Sequence, residues 1–70
     1  MNKLIIITSD NDAALEYIDK YHYTKKEVQV VNAFKQIQGA KDCKYVLVGR
    51  RPKDFWKFES YIQEHNLVKA

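Results

Sequence analysis

Three short apolar runs alternate with three amphipathic stretches along the chain. Leu4-Ile5-Ile6-Ile7-Thr8 is continuous and rich in β-branched residues. That is the pattern of a strand buried on both faces of a parallel sheet. Ser9-Asp10-Asn11-Asp12 follows, a cluster of turn and N-cap residues whose side chains accept hydrogen bonds from the first free N–H groups of a helix. The spacing predicts that helix over about Asp12–His22, with Ala14, Leu15, Ile18 and Tyr21 on one side and Asp12, Glu16, Asp19 and Lys20 on the other. Its early acids suit the positive end of the helix dipole.

After the polar connection Thr24-Lys25-Lys26, Val28-Gln29-Val30-Val31 reads as a second strand. Gln29 interrupts its apolar run and marks it as an edge strand. Asn32 is expected to cap a short helix from Ala33 to about Gln38, with Phe34 and Ile37 inward and Gly39 as the stop. Tyr45-Val46-Leu47-Val48 is the third strand, and Gly49-Arg50-Arg51 is the turn after it. Pro52 then suits the first turn of a helix, expected to run to about His65 with Phe55, Phe58 and Ile62 as its buried stripe. Leu67-Val68-Lys69-Ala70 is left as a short tail packed back on the sheet.

The expected fold class is therefore α/β: a single small β-α-β-α-β-α domain over residues 1–70. Its three-stranded, mostly parallel sheet resembles half of a Rossmann fold. The preferred strand order is 2-1-3, because Leu4–Thr8 is the most uniformly apolar run and belongs in the middle. The order 1-2-3 is the alternative, and Gln29 argues against it.

Seventy residues make one domain with a thin stability margin. The lone cysteine, Cys43, rules out an internal disulfide and a cysteine-based zinc site. Lys41 and Lys44 near it would lower its pKa, but no thiol-enzyme signature accompanies them, and a strand-edge cysteine is the simpler reading. No run is long enough for a signal-peptide core or a membrane span. These features together predict a cytoplasmic protein without a membrane partner.

Charge changes the picture more than composition does. The net charge is only +3, yet residues 25–57 carry nine lysines and arginines against three acids. This basic block, Lys25 to Lys57, would attract nucleic acid or an acidic partner. Tyr23, Tyr45 and Trp56 would add stacking surfaces. No helix-turn-helix, paired RNA-stacking aromatics or zinc finger is visible, and scattered surface lysines are the commoner explanation.

Open parallel sheets bind ligands beyond the carboxyl ends of their strands. In the 2-1-3 order that edge gathers Ser9, Asn32, Arg50 and Arg51, the expected contacts for an anion or nucleic-acid phosphate. Helix caps and acid–arginine pairing explain the same residues without a ligand. No glycine-rich phosphate loop follows the first strand, and two of its four loop residues are acids, which argues against a nucleotide-driven enzyme. Asp10 and Asp12 are more simply caps than a magnesium or acid pair. His22 and His65 lie on different helices with no third ligand, so neither a metal nor a cofactor is expected, and Ser9 has no base partner.

Trp56 lies about 100° around the helix from Phe55 and opposite to Phe58 and Ile62. It therefore projects outward beside Lys53, Glu59, Ser60 and Gln63. An outward tryptophan fits an anchor for a protein partner or a second subunit, with Lys53 and Gln63 as its companions. The alternative is that Trp56 folds over the sheet edge or the tail.

The runs KLIIITSDNDAALEYI, VQVVNAF and KYVLVGRRPKDFW resemble, as a pattern, small bacteriophage accessory reading frames. That resemblance implies a viral protein acting in the host cytoplasm by binding a host factor, and it carries over no site residues. The leading expectation is a non-enzymatic binding module that self-associates, because a small core and two open sheet edges call for a partner. The alternatives are a nucleic-acid-binding protein using the basic block and an anion-binding or enzymatic domain at the strand-end edge.

Overall fold

The computed structural model describes residues 3–24, 26–40 and 43–70. Four parallel strands form one sheet: β1 (Leu4–Ile7), β2 (Val28–Val31), β3 (Lys44–Leu47) and β4 (Val68–Lys69), in the order β2-β1-β3-β4. Helix α1 (Asn11–Lys20) lies between β1 and β2 in the chain, a 3-10 turn (Phe34–Ile37) between β2 and β3, and α2 (Phe55–Glu64) between β3 and β4. The parallel α/β class and the central place of the first strand are as expected. All four residues of β1 are buried.

Two expectations about the sheet and its middle connection need correction. The sheet has four strands rather than three, because the C-terminal tail pairs with β3: the Val68 N–H donates to the Cys43 carbonyl at 3.0 Å, and the Ala70 N–H to the Tyr45 carbonyl at 2.8 Å. Two residues are too few for any hydrophobic period to announce a strand. The middle helix is a single 3-10 turn that Asn32 does not cap. Instead Gln36 reaches back, and its Oε1 accepts from the N–H groups of Asn32 (2.8 Å) and Ala33 (3.0 Å). Gln29 on edge strand β2 donates to the Gln36 carbonyl at 3.0 Å.

Alternation along β1 divides the core in two. Leu4 and Ile6 face α1 and pack with Val28, Ala14, Tyr17 and Ile18. Ile5 and Ile7 face α2 and the 3-10 turn, packing with Val31, Ile37, Phe58, Tyr61 and Ile62. Tyr61, unremarked in the sequence, closes this side. Its hydroxyl accepts from the Gly39 N–H and donates to the Ala40 carbonyl, both at 2.9 Å.

On α1 the buried stripe differs from the one expected. Ala14, Tyr17 and Ile18 face the sheet, while Leu15 is 61% and Tyr21 53% exposed. Ala14 sits at the centre of the contact, so Leu15 lies about 100° off it, and Tyr21 falls beyond the last helical residue. Both helices end the same way. His22 and Asn66 take left-handed φ values of 58° and 57°, and the next N–H reaches back, Tyr23 to Ile18 and Leu67 to Ile62, each at 3.0 Å. These are Schellman endings, with an apolar pair across each turn. Helix α2 begins at Phe55, not Pro52; the buried Pro52 precedes it in a turn where its carbonyl accepts from the Phe55 N–H at 3.2 Å.

Candidate functional site

The carboxyl ends of β1, β2 and β3 bring Ser9, Asn32 and Arg50 onto one edge, as the strand order requires. Ser9 binds Arg50, and Asn32 binds Asn11 at the start of α1. The Ser9 N–H and hydroxyl both donate to the Arg50 carbonyl, at 2.9 and 3.0 Å. The Asn32 side-chain amide donates to Asn11 Oδ1 at 3.0 Å. Asp10 Oδ1 accepts from the N–H groups of Asp12 (3.0 Å) and Ala13 (3.4 Å) and so caps α1. The pocket there, about 310 Å³, is lined by Ser9, Asp10, Asn11, Asp12 and Arg50. Two carboxylates against one guanidinium oppose a phosphate. The side chains of Ser9, Asp10 and Asn32 stitch the loops together here, while Arg50 contributes its backbone carbonyl.

The capping role gives a direct prediction. Asp10→Ala should cost about 1 kcal/mol of stability, and Asp10→Asn much less, because the amide oxygen still caps. Urea denaturation reads both; equal losses would mean that charge rather than capping is at work.

Gly49 sets how close the Arg50 loop comes to α1. Its φ is +64°, and a Cβ there would lie 2.8 Å from the Ala13 Cβ. This approach is what lets the Arg50 carbonyl reach Ser9. Arg51 turns the other way and places its guanidinium 5.1 Å from the Phe55 ring.

Trp56 stands outside this edge, on the outer side of α2. It is 67% exposed, and Lys57 Nζ lies 5.5 Å from its ring. It folds over neither the sheet edge nor the tail. Lys53 and Gln63, named with it from the sequence, are exposed on α2 and on the turn before it. Arg50, Arg51, Lys53 and Lys57 lie within the short segment that leads into and opens α2, with Asp54 as its one acid; Lys57 is the cation placed at the indole, and exposed Glu59 follows on the same helix. Lys57 is the member the sequence reading left unassigned beyond the general basic block; its position next to Trp56 was the available signal.

The rest of that block does not join them. Lys26 and Lys44 precede or begin strands, at the opposite end of the sheet from Arg50 and Arg51. Lys35 is on the 3-10 turn, and Lys25 and Lys41 lie outside the described residues. The proposed stacking residues separate as well: Tyr23 packs on the α1 side and Tyr45 on the α2 side of the sheet.

A second surface went unnoticed in the sequence. Tyr17 and Tyr23 stack with ring centres 6.2 Å apart, and Tyr21 tilts onto Tyr17 at 4.6 Å. With Lys3, Leu4, Glu27, Lys44 and Ala70, Tyr17 and Tyr23 line a pocket of about 520 Å³. Burial, with smaller contributions from Tyr23 and Tyr21, raises the Tyr17 pKa above its ordinary value. Three tyrosines within seven residues were the signal.

His22 and His65 follow helices on opposite sides of the sheet, and His65 stacks on Tyr61 at 4.0 Å. Among the described residues there is no group of three or more His, Cys, Asp or Glu side chains placed to hold a metal ion. No helix among them is long and apolar enough to cross a membrane. Comparison with protein-family models, curated proteins and solved structures found no match.

Proposed function

We propose that this chain is a non-enzymatic binding module that docks an acidic protein surface through the outer face of α2. The observation that carries this reading is Trp56, exposed to 67% with Lys57 Nζ 5.5 Å from its ring and with Arg50, Arg51 and Lys53 three to six residues earlier in the chain. A tryptophan held in solvent by its own helix contributes little to the fold. Placed against a partner it supplies a large rigid apolar contact, while the surrounding cations select for negative charge and speed encounter. The pattern resemblance to phage accessory proteins makes a host cytoplasmic factor the partner to look for.

Trp56 is the single tryptophan of the chain, so its emission reports the surface directly. Titration with an aspartate- and glutamate-rich peptide should shift that emission to the blue, with affinity falling as salt rises. Arg50→Ala/Arg51→Ala should weaken binding by about tenfold at low salt. Trp56→Ala should abolish binding of a labelled peptide while changing folding stability by no more than about 0.5 kcal/mol. No shift with the peptide overturns the reading; a stronger, salt-sensitive shift with an oligothymidylate would transfer the patch to single-stranded nucleic acid.

A further inference from the structure

The outer edge of β3 is longer than the strand that pairs with it. Backbone groups alternate in direction along a strand. The Val48 N–H donates inward to the Ile7 carbonyl at 3.1 Å, whereas the Cys43 and Tyr45 carbonyls accept from the C-terminal segment. The N–H and C=O groups of Leu47 therefore point outward, like those of Tyr45. Yet β4 is in register with Lys44 and Tyr45 only, while β3 runs on to Leu47. The pairing strand is also lightly held, because both of its residues are exposed, in contrast to the buried Leu67 before it. A notch of about 300 Å³ flanks the same edge, lined by Tyr45, Phe55, Glu59, Ile62 and Gln63. In parallel pairing, residues in register share a face, and Tyr45 and Leu47 both face α2. A residue in register with Leu47 would thus set its side chain on the face that holds the notch.

We propose that the β3 edge takes an extended segment of another protein, added parallel to β3 in place of β4, with an apolar side chain in the notch. The chain itself shows what this edge accepts, since β4 is an extended parallel segment donating to the Cys43 and Tyr45 carbonyls. Outward N–H and C=O groups in a row are a template for another strand. A longer segment would reach the groups of Leu47 as well, so the exchange gains backbone bonds. Main-chain pairing supplies the affinity in such an addition, and the pocket for alternate side chains supplies the choice of partner. A second copy of this chain is the weaker occupant. Its own β4 would form across the interface the same register pairs that it forms at home, and the swap gains none.

The strand site does not use Trp56, and its test separates the two surfaces. The probe is a short, capped, neutral peptide alternating threonine and leucine, titrated into the full chain to about millimolar concentration. Backbone resonances of Tyr45, Leu47, Ile62 and Val68 should move. With the leucines on the notch side, the threonine N–H groups face β3, as that of Val68 does. Methylating the threonine nitrogens should therefore weaken binding by at least about tenfold, and methylating the leucine nitrogens should not. Val68→Pro removes the N–H that β4 gives to Cys43, so it should keep the circular dichroism spectrum and raise the peptide's affinity at least about threefold. Should it disturb the spectrum, the two methylated peptides carry the test alone. Trp56→Ala should leave the affinity unchanged. Resonances that stay fixed at millimolar peptide overturn the proposal. So does an equal loss with both methylated peptides, an affinity that a folded Val68→Pro variant leaves unchanged, or binding that Trp56→Ala removes.

Discussion

Phe58→Ala is expected to lower the melting temperature by about 15–30 °C and to bring the protein close to unfolding at 25 °C. Phe58 is fully buried. It meets Phe34 edge-on with ring centres 5.7 Å apart and Phe55 in a stack at 6.3 Å, inside the cluster that joins α2 to Ile5 and Ile7. Truncating a buried phenylalanine costs about 3–5 kcal/mol, from lost transfer energy and the cavity left behind. A 70-residue chain has roughly 4–10 kcal/mol in all. Few other contacts can take up the loss, because this core is divided between two sides of one small sheet. Thermal unfolding followed by circular dichroism measures it. A fall of only a few degrees would mean that α2 does not rest on Phe58. Trp56, two residues earlier on the same helix, is the internal control, since its truncation should scarcely move the transition.

Gly49→Ala is expected to cost about 2–4 kcal/mol, for two separable reasons. At φ +64° a non-glycine residue incurs about 1–2 kcal/mol from Cβ–carbonyl crowding. The new methyl would also stand 2.8 Å from the Ala13 Cβ, closer than carbon atoms tolerate, adding about 1–3 kcal/mol of overpacking. Reduced freedom in the unfolded chain returns about 0.4–1 kcal/mol. The two causes come apart in a double-mutant cycle. Ala13→Gly combined with Gly49→Ala removes the collision and keeps the backbone penalty, so the pair should be better than additive by about 1 kcal/mol or more. Strict additivity would show that the loop moves clear of α1 without cost. The same variant should shift the Ser9 amide resonance, because its acceptor, the Arg50 carbonyl, sits one residue past Gly49.

The candidate surfaces were unequally legible. Trp56 could be placed outside the core from the sequence, because helical period and three inward apolar neighbours determine the direction of an adjacent side chain. The tyrosine-walled pocket could not. It brings Tyr17 and Tyr23 together with Lys44 and Ala70, and Lys44 meets the C-terminal strand only through strand pairing. The strand-end edge was located correctly, since strand order determines which loops converge there. The Asp10 cap was legible from its place between β1 and α1, but the bonds from Ser9 to the Arg50 carbonyl and from Asn32 to Asn11 depended on distances of about 3 Å, which loop composition does not encode.

By itself, then, the sequence determined the local elements and the class of fold. Uniformly apolar Leu4–Ile7 had to be central, Gln29 put β2 at an edge, and the periods of α1 and α2 chose which sides they bury, except where Leu15 and Tyr21 sit on the margin of the stripe. These are near-neighbour effects, set by side-chain periodicity and capping chemistry. The tertiary structure alone decided the fourth strand, the 3-10 turn and the tyrosine-walled pocket. Each depends on partners far apart in the chain: β4 exists because Cys43 and Tyr45 offer it carbonyls, and the short turn stands because Gln36 and Tyr61 satisfy its flanking backbone groups. Long-range hydrogen bonds and packing assign those places, and no window of consecutive residues contains them.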